Sequence, residues 1–72
     1  MANYILDVYA DRGCTRCVGR LGLSAQSVEL AVMQLRRECA RCEMAGESRM
    51  LVLSRDGREV AKLGSRRFAP WA

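Results

Sequence analysis

The stretch Ser24–Met44, SAQSVELAVMQLRRECARCEM, decides how this chain folds, because no other segment is long and periodic enough to predict a helix from its pattern alone. At about 100° per residue, Val28, Ala31, Val32, Leu35, Cys39 and Cys42 fall on one stripe, the spacing of a helix laid on a core. Leu30, Met33, Ala40 and Met44 lie on nearly the opposite side, interrupted by Arg37. Glu29, Arg36 and Glu43 separate the two stripes on one flank, and Gln34, Glu38 and Arg41 on the other. The first stripe predicts packing against a sheet. The second has no evident partner within so short a chain. Ser24 or Ser27 can cap the first turn, and Gly46 is a natural stop.

Outward from the helix, both flanks read as strands. Upstream, Asn3–Ala10 alternates Tyr4, Leu6, Val8 and Ala10 against Asn3, Ile5, Asp7 and Tyr9. Asp11-Arg12-Gly13 breaks the run, and Cys14-Thr15-Arg16-Cys17 follows. Residues 18–23, Val-Gly-Arg-Leu-Gly-Leu, carry two glycines and read as a short, weak second strand. Downstream, Arg49–Ser54 is strongly strand-like, and Glu59–Leu63 completes a hairpin around Asp56-Gly57, a pair that tolerates positive φ at both positions. The expected fold is α+β: an antiparallel sheet, ββαββ or βαββ, covered on one face by a single long helix. One domain is expected over residues 1–64, with residues 65–72 a basic and aromatic tail.

The segments YILDV (4–8), the helix and SRDGREVAKL (54–63) resemble small uncharacterised bacterial β-α-β-β domains that close with a D-G-R-type hairpin. The resemblance implies the same fold, carries no function with it, and leaves residues 11–23 outside.

At 72 residues, with half of them hydrophobic and 28% charged, the chain has an ordinary globular composition. A domain this small buries only about 60% of its unfolded surface and often needs a metal, a disulfide or a partner. There is no apolar run of the ~20 residues a membrane span requires, and the N-terminus lacks the basic and apolar regions of a signal peptide. These features predict a cytoplasmic protein with no membrane partner, in which cysteines serve as metal ligands, redox groups or core. The net charge is +4, and of twelve basic residues all but Lys62 are arginine. Arginine forks suit phosphate and carboxylate; a GC-rich genome would also encode them readily.

The cysteines follow C-x2-C-x21-C-x2-C, and with no histidine present a zinc site would use Cys14, Cys17, Cys39 and Cys42 together. A helix from Ser24 to Cys42 rises ~27 Å, so the two pairs meet only if residues 18–23 return as a strand and start the helix at the far end. The Cys14–Cys17 turn would then resemble the zinc knuckle of zinc ribbons, although its glycine, Gly19, lies one position late. The competing reading makes Cys39 and Cys42 small core hydrophobes. A strand followed by Cys14-x-x-Cys17 beside Arg12 and Arg16 also resembles thioredoxin-like proteins, and the same loop resembles that of heavy-metal-associated domains. Gly19 and Gly22 oppose the helix both families start there. Ser-His and Cys-His catalysis are excluded by the lack of histidine, there is no phosphate-binding glycine loop, and no enzyme is expected.

Two surfaces could bind. Leu30, Met33, Arg37, Ala40 and Met44 could contact a protein partner or form a homodimer. Arg66, Arg67, Phe68 and Trp71 could hold phosphates and stack bases, or Phe68 and Trp71 could cover the core. The sequence thus predicts a small zinc-stabilised binding or regulatory module acting through protein contacts, with nucleic-acid binding, or redox and metal-carrier chemistry at Cys14/Cys17, as alternatives.

Overall fold

Alternation of Tyr4, Leu6 and Val8 with more polar neighbours builds the first strand, and the rest of the sheet assembles on it. The computed structural model describes residues 1–69. The elements are β1 (Ala2–Tyr9), β2 (Cys17–Ala25), α1 (Val28–Met44), β3 (Met50–Arg55), β4 (Arg58–Gly64) and a 3₁₀ turn, Arg66–Phe68. All strand pairs are antiparallel in the order β2-β1-β3-β4, so β1 and β3 are central. The expected α+β class and the ββαββ order are both present.

The second strand is far longer than residues 18–23 suggest. β2 spans nine residues and pairs with β1 from Ala2↔Ala25 to Tyr9↔Cys17, with a bulge at Val8/Tyr9. Gly19 and Gly22 lower local strand propensity, but a central partner strand supplies the whole ladder and overrides it. Because β2 takes Ser24 and Ala25, the helix starts later than expected. Ser27 is its N-cap, with its hydroxyl accepting from the Leu30 amide at 3.3 Å. At the other end Glu47 N donates to Cys42 O at 2.9 Å and Gly46 sits at φ 76°, a Schellman-type stop. Asp56 and Gly57 are both at positive φ, 53° and 77°, as the hairpin reading requires.

One sheet face carries Tyr4, Leu6, Leu51 and Leu53, all buried, and α1 lays Ala31, Leu35 and Cys39 on it. Each wholly buried leucine (Leu6, Leu35, Leu51, Leu53) contributes about 1.5–3 kcal/mol through removal from water. The core stripe of α1 holds at Ala31, Leu35, Cys39 and Cys42; Val32 is half-buried, and Val28, at the first helical position, is exposed. On the opposite sheet face Asp7 accepts a 2.6 Å hydrogen bond from Nε of its cross-strand neighbour Arg20. Among the described residues no helix is long and apolar enough to cross a membrane.

Candidate functional site

Strand direction gathers the chain's chemistry at one end. β1 runs to that end, β2 returns, α1 climbs back to it, and β3 begins there while β4 finishes there. The β1–β2 loop, the end of α1, residues 45–49 and the 3₁₀ turn are therefore neighbours.

The β1–β2 loop is built around Asp11. Its carboxylate accepts from the amides of Thr15 (3.0 Å) and Arg16 (2.8 Å) and from the Thr15 hydroxyl (2.7 Å). The Arg16 amide first, and then the Thr15 hydroxyl, hold the Asp11 carboxyl below the usual carboxylate range. This anchoring folds the loop tightly enough to place Cys14 at φ 59°.

The C-terminal segment is fastened by Ser65, which is wholly buried. Its hydroxyl donates to Glu47 O at 2.7 Å and accepts from Arg49 N at 2.8 Å, while its amide donates to Arg49 O at 2.9 Å. Gly64 precedes it at a point where an added Cβ would lie 2.3 Å from Phe68 O, so the chain can fold over itself there only without a side chain. Arg66 then adopts φ 52°, a conformation that costs a non-glycine residue about 1–3 kcal/mol. The Glu43 carboxylate holds it there by accepting from Arg66 N at 2.6 Å. Arg12 closes the assembly, donating to Arg67 O at 2.8 Å with its guanidinium 5.6 Å from the Phe68 ring centroid. Residues 65–69 are thus fixed to the body of the fold; Trp71 lies outside the described residues.

The four cysteines share this end in two different environments. Cys39 and Cys42 are buried on the core stripe, and the Cys39 thiol donates to Gly64 O at 3.5 Å. Burial raises both thiol pKa values, with help from the charge of Glu43 at Cys39 and of Glu47 at Cys42. Cys17 is exposed and donates to Gly19 O at 3.3 Å; Cys14 is half-buried in the loop. All four are free thiols. Among the described residues no group of three or more Cys, Asp or Glu side chains stands close enough together to hold a metal ion.

The outer helix stripe stands clear of the sheet. Leu30, Met33, Arg37, Ala40 and Met44 are all exposed, with Met33 at 55% and Met44 at 89%. Met33 forms a ridge between two shallow cavities. One, of about 340 Å³, includes Leu30, Gln34 and Arg37; the other, of about 390 Å³, is lined by Val28, Glu29, Val32 and Arg36.

Arg66, Arg67 and Phe68, expected together from sequence, border two further cavities. The first, about 320 Å³, is lined by Glu43, Gly46, Ser48, Arg66 and Arg67. The second, about 390 Å³, shares Gly46, Ser48 and Arg67 with it and adds Arg49 and Phe68. Ser48, Arg49 and Arg12 belong to this cluster and were not legible as part of it. The antiparallel strand order brings the β1–β2 loop and residues 45–49 beside the 3₁₀ turn.

No protein-family model, curated protein or solved structure matches the chain.

Proposed function

We propose that this protein is a small binding module that acts through protein contacts on the outer face of α1, and that the occupant of this face is a second copy of the chain. The observation that carries the reading is the exposure of Leu30, Met33, Ala40 and Met44 along a helix whose opposite side already packs Ala31, Leu35 and Cys39 on the sheet. Grooves on both sides of Met33 suit the ridges-into-grooves packing of a second helix. The flanks carry both signs, with Glu38 and Glu43 among the arginines further along; an antiparallel pair crossing at Met33 sets Glu29 of one copy against Arg37 of the other. Methionine adapts to such contacts because its thioether is flexible and polarizable.

Sedimentation equilibrium tests this reading. The wild-type mass is expected to rise from monomer to dimer with concentration, and Met33→Glu to stay monomeric with an unchanged circular-dichroism spectrum. A wild type that stays monomeric at every concentration, or an equally dimeric Met33→Glu, would contradict it.

A further inference from the structure

We infer that the arginine-lined cleft between residues 46–49 and the 3₁₀ turn binds the phosphate of a nucleotide, a site independent of the helix face. Segments far apart in sequence bring Arg49, Arg66 and Arg67 to one concave place, with Arg12 beside it, donating to Arg67 O and lying over the Phe68 ring. The ion pairs among the described residues are Arg20–Asp7, Arg41–Glu38 and Arg55–Asp56, so within those residues none of these guanidinium groups is paired with a carboxylate. Two carboxylates share the cleft wall, Glu43, which accepts from the Arg66 amide, and Glu47; among the described residues the three lining arginines, Arg49, Arg66 and Arg67, outnumber them. Positive charge held in a concavity focuses the field on an anion, and guanidinium forks match phosphate geometry.

The cleft also offers an aromatic surface and the right size. Phe68 lies in the wall of a cavity of about 390 Å³, within the range of small-ligand sites. Base stacking on an aromatic ring and a guanidinium plane is how single-stranded nucleic acid is commonly held. This pairing of phosphate donors with a ring favours a nucleotide over an acidic peptide, for which the ring has no use.

The test is an amide-shift titration of the full chain with inorganic phosphate, adenosine monophosphate, a short oligothymidylate and a polyglutamate peptide. Saturable shifts at Gly46, Ser48, Arg67 and Phe68 are expected with the two nucleotide probes, weakening as salt rises. Inorganic phosphate should move the same amides more weakly. The double variant Arg66→Gln, Arg67→Gln should lose about tenfold or more in affinity. Both side chains are exposed, so the spectrum away from the cleft should be unchanged. Tighter binding of the oligonucleotide than of the mononucleotide assigns the site to single strands, and equal binding assigns it to free nucleotides. No saturable shift at these amides, equal affinity for polyglutamate, or unchanged binding by the double variant would each overturn the proposal.

Discussion

At the scale of single residues, two side chains outweigh their size. Ser65 satisfies the Arg49 amide and the Glu47 carbonyl at once from a wholly buried position. Ser65→Ala removes both hydrogen bonds and is expected to destabilise the fold by about 1–3 kcal/mol, the net worth of two such bonds. Urea denaturation measures this, and a change within a few tenths of a kcal/mol would show that the C-terminal segment is not pinned there. Asp11 organises the β1–β2 loop in the same way, with its carboxyl held below the ordinary range by the bonds it accepts. A carboxyl with a lowered pKa stabilises the folded loop fully above its unfolded value, about 3.9, and loses that contribution as pH falls through the lowered one. The Thr15 and Arg16 amide resonances should therefore hold steady from neutral pH down to about 4 and move only in stronger acid. Movement centred above that value would contradict the arrangement.

At the scale of elements, the cysteine pairs belong to different environments. Burial on α1 keeps Cys39 and Cys42 protonated at neutral pH and shielded, while Cys14 sits in the loop joining β1 to β2 and Cys17, exposed, opens β2. In the native protein iodoacetamide should label Cys14 and Cys17 and reach Cys39 and Cys42 only on unfolding, as peptide mass spectrometry would show. Equal labelling of all four would contradict the core placement. The helix and the closing hairpin were legible because α1 keeps a 3.6-residue period and Asp56-Gly57 accepts positive φ. The extent of β2 was not, because Gly19 and Gly22 give no local signal and the strand exists through its ladder with β1. The arginine cleft was half legible. Arg66, Arg67 and Phe68 are adjacent in sequence, but Arg12, Ser48 and Arg49 join them only through packing.

At the scale of the whole molecule, one helix covers one face of a four-stranded sheet and leaves its own outer stripe bare. A domain of this size stands to gain stability from association, and a two-fold pairing of α1 crossing at Met33 would bury Leu30 and Met33. The most direct measurement is an isotope-filtered NOE experiment on an equal mixture of labelled and unlabelled chains, observing the Met33 methyl group. Proposed pairing predicts intermolecular contacts from that methyl to Leu30 or Met33 of the second chain, lost in Met33→Glu. A Met33 methyl with no intermolecular contact, and with a shift that does not change with protein concentration, would contradict the account.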